Sequence, residues 1–314
     1  MTGVYEVRRY SGEMAADWDA FVEVSKNATF LHARGFMDYH ADRFEDHSLV
    51  IYLDGRLVAL LPANASGDDL QSHGGLTYGG VLTAPKMSVT AMPGLFDEIV
   101  SYARGAGFKT LYYKAIPHIY HAQPAEEDLS ALFRLGADLV RVDTSSTVPI
   151  TRRRPFSGGK KDGLRKARKA GLDVRESTDW PQCWAMLTAV LSQRHGAQPV
   201  HSLAEITLLA SRFPERIRLF GAFDNDAMVS ALVMFDCART VHVQYIASAP
   251  QGQTSGGVDV IVKHLLDDVY ADRDWFDFGI STTDGGRTLN EGLARQKEMF
   301  GAGTTTYQHF RLSL

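Results

Sequence analysis

VHVQYIASAP at 241–250, QGQTSGGVDVIVKHLLDDVYADR at 251–273 and DWFDFGIS at 274–281, followed by TTDGGRTLNEGLARQKEMFGAG at 282–303, decide how this chain is read. Val241, Val243 and Tyr245 alternate with His242 and Gln244, the period of a half-buried strand. Pro250 has no amide donor, so the strand should stop there. Residues 251–257 are small and read as a loop. Val258, Ile261, Val262, Leu265, Leu266 and Val269 then recur at the spacing of a core-facing helical stripe. A strand, a glycine-rich loop and a helix start make a site for an anion: first-turn amides have no intrahelical acceptor, and the helix dipole favours negative charge. The loop is neither G-x-G-x-x-G nor G-x-x-x-x-G-K-[ST], which argues against a dinucleotide fold and a P-loop NTPase. An ordinary tight strand-to-helix connection would use the same residues.

Gln253, Thr254, Ser255, Gly256 and Gly257 resemble the (Gln/Arg)-x-x-Gly-x-(Gly/Ala) loop of the GNAT acyltransferase superfamily, with Val258 replacing the final small residue. Residues 275–280 read as a short buried strand. Thr288 and Glu291 have capping-box spacing, and Leu289, Leu293 and Phe300 give a helical stripe. FDFGIS, Asn290-x-Gly292-Leu293 and Gln296-Lys297-x-x-Phe300-Gly301 together resemble the C-terminal half of the Fem-type, double-GNAT acyltransferases. That resemblance implies an α/β fold of α+β type: two tandem GNAT-like domains, each a mixed twisted sheet flanked by helices. It also implies that acyl-CoA binds as co-substrate, with Ile246, Ser248, Gln253, Thr254, Ser255, Gly256, Gly257 and Asn290 holding coenzyme A.

Composition sets wider bounds. The 314 residues are 45% hydrophobic and 22% charged, ordinary for a globular protein with a real core. The net charge of −4 gives no global reason to expect nucleic acid or an anionic membrane as partner. Cys183 and Cys237 lie in apolar surroundings without metal spacing and read as buried free thiols. The N-terminus has no apolar signal region and no 18-residue apolar run exists, so the expectation is a cytoplasmic protein that does not span a membrane. Self-association into a homo-oligomer is left open.

The two halves run through the same events. In the first, residues 48–53 and 56–62 form a hairpin around Asp54-Gly55. Helices are expected at 14–24, 36–44, 89–104 and 126–135, and a strand at 109–116. In the second, a strand at 172–176, helices at 180–194 and 203–212, and a hairpin at 218–223 and 228–235 precede the opening stretch. Adding 165 to residue numbers places Leu111-Tyr112-Tyr113 on Phe276-Asp277-Phe278 and Leu135-Gly136-Ala137 on Phe300-Gly301-Ala302. This suggests a duplication with domains at 1–150 and 151–314; chance alignment of two α/β halves is the alternative. At the place of the C-terminal loop the first half has residues 79–86, with Pro85 and no Gln-x-x-Gly pattern. The expectation is that the first domain shapes the acceptor site and the second binds acyl-CoA.

SHGGLTYGG at 72–80 concentrates four glycines around Thr77 and Tyr78. It reads either as backbone brought close to a ligand, with His73 and Tyr78 entering a cleft, or as an irregular edge strand. His118 and His121 lie just past a strand end, a usual place for ligand contacts. No Asp, Glu or Cys joins them at metal-ligand spacing, so no metal is expected. These stretches resemble double-GNAT proteins of bacterial surface-polysaccharide pathways, which transfer an acyl group from acyl-CoA to the amine of a nucleotide-linked amino sugar. The resemblance implies direct attack in a ternary complex. His73 is the first candidate base, with His118, His121 and Glu291 behind it, and Tyr78 or Tyr245 could protonate the leaving thiolate. Backbone amides at 245–248 would polarise the thioester carbonyl. His118, His121, Glu291 and Lys297 are expected to hold the acceptor. The basic run Arg152-Arg153-Arg154, Lys160, Lys161, Arg165, Lys166, Arg168 and Lys169 suits a phosphorylated substrate, tRNA or simple solvation. A Fem-like aminoacyltransferase using aminoacyl-tRNA, or a non-catalytic binding protein, are the alternatives.

Overall fold

Runs of β-branched and aromatic residues build the second half around an antiparallel meander. In the computed structural model of this chain, which describes residues 3–195 and 197–314, strands Asp173–Ser177, Ile217–Asp224, Ala227–Cys237 and Thr240–Ser248 pair in that order. Thr240–Ser248 then pairs in parallel with Trp275–Ile280, which pairs antiparallel with residues 145–149 of strand Asp138–Pro149. Helix Gly257–His264, extended by a π-helical turn at Leu265–Val269, covers this sheet. Its Ile261, Val262, Leu265 and Leu266 pack on Phe220, Leu232, Val241 and Phe276. That stripe is the one expected from the i, i+3, i+4 spacing.

The chain divides into two compact units. One comprises the residues up to Asp143 together with Thr283–Thr288 and Thr306–Leu314; the other comprises Thr144–Thr282 and Leu289–Thr305. Unlike a single cut at residue 150, this division returns the last residues of the chain to the first unit, where His309–Ser313 pairs with Thr110–Lys114. In that unit Tyr5–Arg9, Leu49–Leu53, Arg56–Leu61 and Leu82–Thr83 form an antiparallel sheet. Helix Met92–Gly105 lays Leu95, Phe96, Ile99 and Ala103 on Leu49, Ile51, Leu61 and Tyr113. The expected helix over 36–44 is instead a short turn of α-helix at Arg34–Met37 followed by a 3₁₀ turn at Asp38–His40. Adding 165 to Met92, Thr110 and Glu127, which open a helix, a strand and a helix, lands on Gly257, Trp275 and Gly292, in the first turn or residue of the same element types.

The glycine-rich segment 72–80 has no regular secondary structure, yet it is pinned at several points. Ser72 Oγ accepts from the Lys114 amide at 2.7 Å, and the Gly79 amide donates to the Lys114 carbonyl at 3.0 Å. A Cβ on Gly79 would fall 2.3 Å from the Ser72 carbonyl oxygen, so close backbone contact accounts for a glycine there. The Lys114 side chain is buried beneath the segment and donates to the carbonyls of Leu76 and Gly74. Desolvation pushes its pKa down to about 7. Between about pH 7 and the ordinary lysine value the unfolded chain carries a proton at this position that the folded chain has lost, so this residue makes stability rise with pH over that window. Lys114→Met should remove this rise: in urea unfolding from pH 7 to pH 10, the parent's stability should climb relative to the variant's as pH increases. A constant difference would place the titration elsewhere.

Candidate active site

Parallel pairing between Thr240–Ser248 and Trp275–Ile280 covers only Thr240, Val241 and His242, opposite Trp275, Phe276 and Asp277. Both strands are irregular just beyond. The pairing of Ala227–Cys237 with Thr240–Ser248 shifts register between Val233 and Met234, leaving Gln244 as the extra residue. The pairing of Trp275–Ile280 with its other neighbour shifts between Asp277 and Ile280. Such bulges bend a strand and re-aim its side chains. Asp277, fully buried, fixes the point of divergence. One carboxylate oxygen accepts from Ser145 Oγ and from the Gly279 amide at 3.1 Å, and the other lies 2.8 Å from His242 Nδ1.

The carbonyls of Gly279 and Ile280, past the end of the ladder, are satisfied by a side chain. Lys297 Nζ donates to both at 2.8 Å. Lys297 is the buried residue of helix Glu291–Glu298. Burial pushes its pKa down to about 8, with the Asp277 charge opposing that shift, so the ammonium persists at neutral pH.

A cleft of about 410 Å³ opens beside this lysine. Ile246 and Ser248 line it from one strand, Phe278 from the other, and Leu293, Gln296 and Lys297 from the last helix. Val190 and Leu191 of helix Trp180–His195 also line it, with Lys160, Gly252, Gln253, Gly256, Val258, Asp259 and Phe300. Of the residues expected from sequence, the cleft thus gathers Ile246, Ser248, Gln253, Gly256 and Lys297.

The expected loop at 251–257 is largely a helix. Pro250 opens helix Pro250–Ser255 at its first position, where a missing amide costs nothing. Gly256 ends it with φ 78°, its amide bonded to the Gly252 carbonyl. The polar side chains of the motif bond to nearby backbone carbonyls: Gln253 Nε2 donates to Ser248 O at 2.8 Å, Thr254 Oγ1 to Gln251 O at 2.9 Å and Ser255 Oγ to Gln251 O at 2.8 Å. Gly256 lies against helix Gly158–Lys169, where a Cβ would fall 2.2 Å from the Gly163 carbonyl oxygen. Asp259, in the first turn of helix Gly257–His264, pairs with Lys160 at 2.8 Å, and the Lys160 ammonium sits 4.0 Å from the centroid of the Phe300 ring. The helix start therefore already faces an internal carboxylate and a carbonyl. Gly256, Val258 and Asp259 also border the open cleft.

The remaining expected residues have other surroundings. Asn290, rather than Thr288, caps helix Glu291–Glu298, accepting from the Leu293 amide at 3.0 Å, while Glu291 is exposed and pairs with Arg295 at 3.1 Å. Tyr245 packs edge-on against Trp184, and its hydroxyl lies 2.5 Å from His201 Nδ1. In the first unit, His73 is buried and stacked on His40, and desolvation pushes its pKa down to about 3. Tyr78 donates to Thr29 Oγ1 at 3.2 Å. His121 Nε2 meets the Ile116 carbonyl at 3.0 Å, and burial pushes the ring down to about 4. His118 is exposed in the turn His118–Tyr120. The sequence reading missed His242, Asp277 and Ser145 as a polar cluster, and Asp259 as the partner of Lys160. Among the described residues no group of His, Cys, Asp or Glu could hold a metal, and no helix is long and apolar enough to cross a membrane.

Residues 159–285 match the family described as Acetyltransferase (GNAT) domain. No curated protein matches the chain. Among solved structures, FemX is similar with a TM-score of 0.70 at 12% identity, covering 98% of this chain and 97% of that one. The C-terminal domain of a putative lysylphosphatidylglycerol synthetase from Agrobacterium fabrum is similar with a TM-score of 0.62 at 13% identity, covering 96% and 92%. A tandem GNAT protein from the clavulanic acid biosynthesis pathway gives a TM-score of 0.53 at 12% identity, covering 99% and 98%. The fold is thus the mixed α/β, tandem-GNAT fold.

The packing at Gly256 predicts a folding defect for Gly256→Val. Left-handed backbone and the contact with Gly163 together should cost roughly 1–3 kcal/mol or more in urea unfolding. The loss should be the same with and without acetyl-CoA. A variant as stable as the parent would show that close packing is not what requires glycine here.

Proposed function

We propose that the chain is an N-acyltransferase that moves an acyl group, activated as a thioester in the manner of acyl-CoA, onto the amine of a nucleotide-linked amino sugar. The observation that carries this reading is the cation of Lys297 held beside two strands that part. Two of its N–H bonds are taken by the Gly279 and Ile280 carbonyls. The third is left for the oxygen of an acyl carbonyl entering the cleft, where negative charge grows as the amine adds. Backbone amides of 245–248, beyond the parallel ladder, are the second source of donors, as the sequence suggested. The GNAT match over residues 159–285 supports acyl transfer.

Direct attack, without an acyl-enzyme, agrees with the surroundings of Cys183. That thiol is buried and its pKa is pushed up to about 12, which leaves almost no thiolate at neutral pH. The nitrogen–acyl bond forms as the carbon–sulfur bond breaks, and the proton lost by the amine leaves with solvent or the departing thiolate. The nucleotide-linked amino sugar rests on the resemblance of the first half. The exposed cations of helix Gly158–Lys169 favour a second reading, a Fem-like aminoacyltransferase taking its acyl group from aminoacyl-tRNA. A thioester-release screen of several acyl-CoAs against nucleotide amino sugars tests the first reading. No release with any pair would leave the second, or a non-catalytic binding protein.

Lys297→Met should lower kcat by about 10²–10³-fold with little change in donor KM, since the lost interaction is made in the transition state. Because the ammonium is the active form, kcat of the parent should fall as pH rises through about 8. Lys297→Arg should shift that fall to higher pH. A Lys297→Met enzyme at parental rate would remove the lysine from the chemistry.

A further inference from the structure

We infer that Asp277 is a positioning residue for acyl transfer, acting on the Lys297 ammonium through Gly279, the one glycine to which carboxylate and cation are both bonded. This rests on the acyl-transfer reading above and concerns what keeps its oxyanion donor aimed and charged. Gly279 is the meeting point. Its amide donates to an Asp277 oxygen at 3.1 Å, and its carbonyl accepts from Lys297 Nζ at 2.8 Å. Its φ of 75° lies in the left-handed region that favours glycine. A Cβ there would fall 3.2 Å from His242 Cε1, closer than ordinary contact, so the imidazole packs against the bare side of the residue. His242 Nδ1 in turn lies 2.8 Å from the second Asp277 oxygen. Strands Thr240–Ser248 and Trp275–Ile280 and helix Glu291–Glu298 thus each bring one titratable side chain to the same glycine.

A fully buried carboxylate is costly unless it is hydrogen-bonded and balanced by positive charge. Ser145 Oγ and the Gly279 amide supply hydrogen bonds. A buried ammonium has the converse need, and the other acids around Lys297 do not meet it. Glu291 and Glu298 of its own helix are exposed, and Glu291 pairs with Arg295. Across the cleft, Asp259 is paired with Lys160 at 2.8 Å. Desolvation pushes the Lys297 pKa down to about 8, and the Asp277 charge pushes the other way. Without that charge the lysine would lose its proton nearer neutrality, and a neutral amine stabilises an oxyanion less. His242 touches the same carboxylate, so its variant serves as the comparison that separates contact from charge.

The experiment follows Lys297 itself, by the NMR signal of its ε-carbon in the full chain carrying isotope-labelled lysine, identified by its loss in Lys297→Arg. Asp277→Asn keeps the size of the side chain and an acceptor for the Gly279 amide but removes the charge. It should lower the pH at which the lysine signal titrates by at least about half a unit. Ser145→Ala and His242→Gln each remove a contact of Asp277 and leave its charge, and should move that midpoint by less than about 0.2 unit. With a donor and amine that give product, the alkaline fall of kcat in Asp277→Asn should move down by the same interval, at unchanged donor KM. Should Asp277→Asn fail to fold, linkage supplies the reciprocal measurement: Lys297→Met should raise the pH at which the Asp277 carboxyl carbon titrates. The assignment is overturned if the lysine midpoint ignores Asp277→Asn, if Ser145→Ala or His242→Gln lowers it as far, or if the Asp277 signal ignores Lys297→Met. If the lysine signal moves as expected but no donor and amine give product, the acyl-transfer reading fails and the coupling of Asp277 to Lys297 stands.

Discussion

A parallel strand pair that loses its partner after three residues must satisfy its backbone elsewhere, and the second unit is built around that requirement. Unpaired buried amides and carbonyls each cost roughly 1–3 kcal/mol. The parting of Thr240–Ser248 from Trp275–Ile280 is therefore held by named groups. Asp277 takes the Gly279 amide and the Ser145 hydroxyl, and Lys297 takes the carbonyls of Gly279 and Ile280. The same contacts that keep the strands apart place an ammonium at the edge of the opening. Structural satisfaction and transition-state stabilisation would thus be served by one side chain.

The walls of the cleft also brace one another. Phe278 stacks on Phe300, and Phe300 in turn receives Phe156 and the Lys160 ammonium. Lys160 belongs to helix Gly158–Lys169, which meets the helices on either side of Gly256. A basic segment that reads in sequence as a solvated linker is in fact half structural: one face braces the cleft and the other remains charged and exposed.

Much of the fold was legible because local chemistry and burial agree. Asp54-Gly55 fixes the hairpin of Leu49–Leu53 and Arg56–Leu61, and the stripe from Ile261 to Leu266 covers the sheet as its spacing requires. The candidate site was legible only in part. A glycine kept for a phosphate and a glycine kept for a neighbouring helix look identical in sequence, and the crowding of Gly256 by Gly163 depends on a contact 93 residues away. Pro250 was read as the end of a strand, when the same residue also opens a helix. Asn290 rather than Thr288 caps the last helix because capping depends on which residue leaves helical geometry, beyond what spacing can decide. His73 drew attention for its glycine-rich setting, while the histidine paired with a buried carboxylate is His242, 35 positions from Asp277 and marked by nothing local. Lys297 was singled out by resemblance, but its two carbonyl partners required the fold.

On the proposed function, Lys297 and the parted strands receive an acyl carbonyl. The most direct measurement is a crystal structure with acetonyl-pantetheine, in which a ketone replaces the thioester and cannot be transferred. The ketone oxygen is expected within hydrogen-bond distance of Lys297 Nζ, between Ile246 and Phe278. An arm bound outside the cleft, or a ketone lying apart from an ammonium that still contacts only Gly279 and Ile280, would contradict it.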